Sequence, residues 1–215
     1  MKNSSKKISS NIEKPSGPVK SEQGTRQIEI LNAARQILIE EGYPSFTMRR
    51  IAKRANIHLK TLQHYFNTKR ILLMETVNYT LDNYYFKIYE DIDSGVAKRS
   101  PKDALSWVLE FLIADCKAED TCKFFFELWA LSSRDEDACE ALDALYTRHR
   151  QQIEKLLARA NPTLSAKKIK LRAAVIAEQI EGLVPFIGYG KPRHPEFAGL
   201  EAEVHKRLME YALQP

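Results

Sequence analysis

Apolar residues recur at three- and four-residue spacing along most of the chain, and little of it alternates with the two-residue period of a strand. The pattern predicts about nine helices and no sheet. The first covers roughly residues 22–42. A short one follows Thr47, with Met48, Ile51, Ala52 and Ala55 on one face, and another opens near His58, with Leu62 and Phe66 inward. A fourth is expected over 68–93, closed by the Ser94-Gly95 and Ser100-Pro101 breaks. Others follow at about 101–118, 121–132 and 135–160, the last ending at Asn161-Pro162. The final two fall near 165–188 and 196–212, divided by Gly188, Gly190, Pro192 and Pro195. Pro185 should bend the eighth helix or end it early.

Residues Thr47 to Leu73 carry the sharpest signal. Thr47 can cap the free N–H groups of the helix it precedes, and Thr68 can do the same one helix later. Between the two short helices the link Ala55-Asn56-Ile57 needs a residue that tolerates left-handed backbone, and Asn is the best choice after Gly. Small Ala52 and Ala55 let two helices cross closely. Leu59, Lys60, Gln63 and His64 are left on the outer face. This is a helix-turn-helix, which holds one helix rigidly and offers it to the major groove of DNA.

The run Thr47, Ile51, Ala52, Ala55, Thr61, Leu62, Tyr65, Phe66, Lys69, Leu72 resembles the DNA-binding domain of the tetracycline-repressor-like (TetR) family. The preceding IEILNAARQILIEEGYPSFT is similar to that family's first helix. The resemblance spans about Gln27 to Leu73. Three positions depart from it: Asn56 stands where Gly is usual, His58 replaces a Ser or Thr cap, and Gln63 stands where Tyr is common. The resemblance implies an all-α fold, with a helix-turn-helix three-helix domain at 21–73 and a helical effector-binding and dimerisation domain at 74–215.

Laid over this sequence, the family pattern implies a division of labour. Arg49 and Lys60 are candidates for guanine O6/N7, Leu59 for a thymine methyl, and Gln63 for adenine N6/N7. Thr47, Thr61, Tyr65 and Lys69 are expected to grip phosphates and set register, with His64 in either role and His58 opening the reading helix. Arg50, Lys53 and Arg54 are more simply read as a solvated face.

Charge segregation supports the same partner. Residues 1–73 hold 14 of the 33 Lys and Arg and 5 of the 28 Asp and Glu, a balance of +9, which leaves −4 downstream. A positive field confined to the proposed DNA-facing third favours nucleic acid over a generally basic or membrane-seeking protein. Residues 1–20 are rich in Ser, Lys and Pro and read as a disordered basic tail, either an added DNA contact or a plain leader.

Beyond residue 75 the resemblance implies a ligand cavity among the middle helices, which are rich in aromatics. Tyr79, Trp107, Phe111, Phe125 and Trp129 are expected to wall it, with Glu178 or Gln179 as polar anchor, favouring a small apolar or aromatic effector. Ile169, Ala173, Ile176, Ile180 and Leu183 recur along one helix face, and Leu200, Val204, Leu208 and Tyr211 along the next. Such faces can pack on their own domain or on a second chain. The resemblance implies a homodimer built on them, notably Val204 and Leu208, reading palindromic double-stranded operator half-sites ~34–36 Å apart or a multiple.

Other classes fit poorly. The chain has no HExxH, no glycine-rich phosphate loop, no GxSxG and no cysteine pair at zinc spacing, so neither catalysis nor a cofactor or metal site is expected. Glu201 and His205 are four apart, which by itself is a surface pairing. Cys116, Cys122 and Cys139 read as reduced, half-buried thiols rather than a redox sensor. No apolar run nears the roughly 18 residues of a membrane span, and the first residues lack a signal peptide's apolar core, so a cytoplasmic location is expected. The reading is a ligand-responsive repressor. A ligand-independent architectural or division-control protein on the same scaffold is the alternative.

Overall fold

The computed structural model describes residues 22–93 and 99–215. Among them there are helices and no strands. The expected basic tail, and the Ser94-Gly95 break, lie outside the described residues.

Helix α1 (Glu22–Glu41) buries Ile30, Ala34, Ile37 and Leu38 and stops at Gly42. Gly42 is required there. Its φ is +77°, and a Cβ would sit 3.1 Å from Glu127 Oε1. Thr47 caps α2 (Met48–Arg54), its Oγ1 accepting from the Arg50 N–H at 3.2 Å. Asn56 takes the left-handed conformation that the sequence requires, with φ 53°, and the Ile57 N–H closes the turn on the Ala52 carbonyl. His58 precedes α3 (Leu59–Tyr65) without capping it through its side chain, a consequence of its departure from Ser or Thr. Leu62 and Phe66 anchor α3 inward, 0 % and 1 % exposed. Full burial of each such side chain contributes about 1.5–3 kcal/mol.

The fourth predicted helix is interrupted. α4 (Lys69–Thr80), capped by Thr68, passes through a π-helical turn at Leu81–Tyr85 into α5 (Lys87–Asp93). The Thr76 and Thr80 hydroxyls each bond back to the carbonyl four residues earlier, at 2.6 and 2.7 Å. These bonds compete with the backbone ladder, and the Phe86 N–H then reaches five residues back to Leu81. The extra residue sends Tyr84 and Tyr85 to different neighbours.

α6 (Pro101–Asp115) is capped by Ser100, with proline in its first turn. α7 (Glu119–Ser132) and α8 (Glu136–Ala160) follow, the latter capped by Asp135. α9 (Ala166–Glu181) ends early, because Pro185 sits in the first turn of a separate short helix, α10 (Val184–Ile187). α11 (Leu200–Leu213) is held at its end by Arg172 and Asn161, which donate to the Ala212 and Gln214 carbonyls. α8 and α9 pair along their length, α1 packs on α4 and α7, and α11 packs on α6 and α9. One buried apolar cluster runs through all of these layers.

Candidate nucleic-acid interface and effector site

On α3 the inner residues are buried and the outer ones project. Lys60, Thr61, Gln63 and His64 are exposed, Tyr65 is half-buried, and an open depression is lined by His58, Lys60, Thr61, His64 and Tyr65. Leu59 is not the free apolar residue that its position suggested: it is half-buried against the core. Lys69 sits with Nζ 3.9 Å from the Tyr43 ring centroid, and Thr47 spends its hydroxyl on its cap.

The arginines of α2 divide by partner. Arg50 pairs with Glu41 at 2.9 Å, and its hydrogen bond holds that carboxyl below the usual range. Arg54 pairs with Glu40 and Glu41. Both reach back to α1 and stiffen the domain. Arg49, Lys53 and Lys60 are exposed and make no ion pair among the described residues, so their charge is directed outward.

A second polar assembly lies inside the helical domain. The Tyr85 hydroxyl donates to Glu181 Oε1 and that of Tyr146 to Oε2, both at 3.3 Å. Trp129 Nε1 donates to the Tyr146 hydroxyl at 2.7 Å. The Phe125 ring lies 5.8 Å from that of Trp129 and 5.3 Å from that of Tyr85. Glu181, Tyr85, Phe125, Trp129 and Tyr146 therefore close a ring of side chains drawn from the π-turn, α7, α8 and α9. Beside it, the Tyr89 hydroxyl meets His149 Nδ1 at 3.2 Å, while His149 Nε2 is buried without a hydrogen-bond partner.

Burial sets the titration of this region. It pushes the Glu181 carboxyl up to about 7 and Asp115 up to about 6, against Thr121, which bonds Asp115 and favours its charge. It pushes His149 down to about 4, so the imidazole is neutral near neutral pH. Burial and the nearby Glu181 also raise the Tyr85, Tyr89 and Tyr146 hydroxyls and the Cys116 thiol. Cys116 and Cys122 are thus inert core thiols; Cys139 is exposed rather than half-buried.

Of the residues expected to wall a cavity, Phe125 and Trp129 join this ring. Tyr79 does not. Its hydroxyl bonds Asn32 on α1 at 3.2 Å, because α4 turns that face toward the DNA-binding domain. Trp107 lies under the Arg99 guanidinium, 4.8 Å from its ring centroid, and neither it nor Phe111 shares a ring contact or hydrogen bond with the five residues. Glu178 and Gln179 are corrected outright: both are exposed and bond each other at 3.2 Å. The inward stripe of α9 runs through Ala173, Ile176 and Ile180, and the carboxylate that follows it inward is Glu181. Glu181 went unnoticed because helical spacing does not show which acidic residue at the end of this helix turns toward α7 and α8. His149, by contrast, had a signal, a lone imidazole on the apolar stripe Leu145, His149, Ile153.

The expected dimer face is also corrected. Ala173, Ile176, Ile180, Leu183 and Leu208 are at most 5 % exposed within this one chain, and Ile169 and Val204 pack against the same core. They are intramolecular. The apolar side chains left outward on these elements are Leu171 and Phe186, 61 % and 54 % exposed. Glu201 and His205 do not pair either: Glu201 binds Lys117, and His205 meets Ser106 and Glu110.

Three stacked helices with an exposed polar reading face, joined to a larger helical body, define a helix-turn-helix DNA-binding protein. Residues 30–76 match the model of the bacterial regulatory proteins of the tetR family, and residues 101–210 match that of the BetI-type transcriptional repressor C-terminal domain. The chain belongs to the TetR family of transcriptional regulators. It is 23 % identical over 161 residues to an HTH-type transcriptional regulator of the dhlA 5′ region in Xanthobacter autotrophicus, covering 74 % of this chain and 78 % of that one. Among solved structures, Salmonella enterica GusR superposes with a TM-score of 0.68 at 18 % identity, over 89 % of this chain and 97 % of that one. A transcriptional regulator from Saccharomonospora viridis, solved in complex with choline, gives 0.65 at 14 % identity over 88 % and 96 %. At those identities the likeness speaks for the fold. Among the described residues no helix is long and apolar enough to cross a membrane.

Proposed function

We propose that the protein is a homodimeric repressor that grips a palindromic operator through α3 and releases it when a small molecule enters the helical domain. The observation that carries the DNA half is the division of α3, where Leu62 is fully buried while Lys60 and Gln63 face outward, beside the exposed Arg49 of α2. Arg49, Lys60 and Gln63 read bases, and Thr61, Tyr65 and Lys69 hold the backbone. The exposed Leu171 and Phe186 supply the apolar surface for the two-fold contact.

The effector half rests on how the two domains touch. α7 carries Phe125 and Trp129 inward. From the same helix Asp120 reaches Arg35 of α1 at 2.9 Å, and Glu127 accepts the Tyr43 N–H at 2.8 Å. In the π-turn, Tyr85 bonds Glu181, while its neighbour Tyr84 bonds Asn32 and lies under the Arg35 guanidinium, 4.0 Å from the ring centroid. A ligand that displaced α7 or the π-turn would thus move α1 and the reading helices it supports. Such a shift is bounded by the effector's difference in affinity for the two states.

The ligand-independent alternative draws on the same ring, whose members satisfy one another. It leaves the buried, unpartnered nitrogen of His149 without an explanation. Selection of bound fragments from the source genome tests the proposal. Recovery of two-fold symmetric sites supports it, and recovery of no preferred sequence overturns it.

A further inference from the structure

The open depression on the outer face of α3 is lined by His58, Lys60, Thr61, His64 and Tyr65. Each of these side chains can donate a hydrogen bond, and no carboxylate is among them. None makes a side-chain hydrogen bond or ion pair among the described residues, and His58 does not cap α3 through its ring. The rings of His64 and Tyr65 meet edge to face, with centroids 5.5 Å apart. Nearby polar groups are engaged instead: Thr47 and Thr68 cap helices, and Arg50 and Arg54 reach the carboxylates of Glu41 and Glu40 on α1. The setting is otherwise positive. α2, packed against α3, bears Arg49, Arg50, Lys53 and Arg54 and no acid, and α4 opens on Lys69 and on Arg70, which pairs with Asp137. Two of the five lining residues are imidazoles, the side chain whose charge changes near neutral pH. His58 replaces the Ser or Thr of the family pattern, so the imidazole there belongs to this chain.

We propose that this depression seats a backbone phosphate of the DNA against His58 and His64, and that these imidazoles take up protons as DNA binds. The assignment rests on the regulator reading above and adds to it a dependence on pH. A lining of donors without a carboxylate suits phosphate oxygens, which only accept. A phosphate brought beside an imidazole favours the charged ring over the neutral one. Binding is then linked to proton uptake, and the sign follows: affinity is highest at low pH and falls as pH rises through the range in which imidazole titrates. Phosphates carry no sequence, so the dependence belongs to any duplex. Base reading by the same imidazoles would confine it to the preferred site.

The test is fluorescence-anisotropy titration of the full chain with a genome-selected duplex and a scrambled one, at pH 6 and at pH 8 and at fixed ionic strength. Affinity for both duplexes should fall by about fivefold or more between the two pH values. The double variant His58→Asn, His64→Gln, neutral at both, should lose most of that fall and bind at pH 6 about as weakly as the wild type does at pH 8. His64→Arg, whose charge is fixed, should bind more tightly than the wild type at pH 8 and show a shallower fall. Both histidines are exposed and hold no hydrogen bond, so the variants should keep the fold, which equal urea midpoints verify. No fall in the wild type, a fall that the double variant retains, or a fall confined to the selected duplex overturns the assignment. A retained fall would place the linkage in the helical domain, where Glu181 and Asp115 titrate in the same range. The regulator reading is judged separately. Preference for the selected duplex at either pH sustains it even where affinity does not change with pH. If the protein binds neither duplex, the regulator reading fails and the phosphate seat with it.

Discussion

The outer face of α3 and the interior ring at Glu181 are both polar assemblies, and they are finished in opposite ways. On α3 the polar groups face outward, and Lys60, like Arg49 of α2, makes no ion pair among the described residues. Around Glu181 the groups answer one another through tyrosine and indole hydrogen bonds, and only the charge and one imidazole nitrogen are left over. An exposed cation loses little by waiting for DNA, because water solvates it. A buried carboxylate pays for its desolvation continuously, which pushes its pKa up to about 7. On the proposed function the first assembly is the reading surface, and the second sits where α7 and the π-turn also touch the DNA-binding domain.

That contrast can be broken from either side. The largest effect is expected from removing what holds α3 in place. Leu62→Ala should cost about 2–5 kcal/mol of stability and abolish operator binding, measured by denaturant unfolding alongside DNA titration. An unchanged midpoint would mean that α3 is not anchored there. Next is the link between the two assemblies. Glu127→Ala leaves the Tyr43 N–H without its carboxylate and should cost about 1–3 kcal/mol, with a weakened response of DNA binding to effector. Thr47→Ala removes a helix cap worth about 1 kcal/mol, and should lower stability with only a modest change in base preference.

The smallest and most diagnostic effect is in pH dependence. Glu181 and Asp115 have folded pKa values raised to about 7 and about 6, from ordinary values of 4.5 and 3.8, so ionising them favours unfolding and stability falls as pH rises through those windows. His149 is lowered to about 4 from 6.5, so its contribution rises with pH over that range and opposes them. Glu181→Gln should therefore match the wild type near pH 4.5 and exceed it above pH 7, read from urea midpoints across that range. Equal midpoints at every pH would mean that Glu181 is solvated.

The two assemblies also differ in how far the sequence discloses them. Thr47, Asn56, Leu62, Phe66 and Thr68 lie within one short stretch, and their roles follow from local rules: a hydroxyl caps, Asn tolerates positive φ, and i,i+4 apolar residues face inward. The ring at Glu181 draws on residues 85, 125, 129, 146 and 181. The family resemblance placed Phe125 and Trp129 on a cavity wall, but helical periodicity could not show which helices would meet. Glu178 and Gln179 were expected as anchors from the family resemblance, and periodicity alone did not set them apart from Glu181. The π-turn that separates Tyr84 from Tyr85 depends on Thr76 and Thr80 bonding back to the backbone, which no hydrophobic pattern reveals. The dimer face was misjudged because burial within the chain and burial between chains leave the same stripe in a sequence.

The DNA-reading role of α3 is tested most directly by titrating a genome-selected duplex and a scrambled one with Lys60→Ala and Lys69→Ala across a salt series. Lys60→Ala should lose about 1–3 kcal/mol on the selected duplex, relax preference at one base pair, and bind the scrambled duplex almost as before. Lys69→Ala should weaken both duplexes alike and flatten the salt dependence. Unchanged affinity of both variants for the selected duplex would contradict the assignment of α3 as the reading helix.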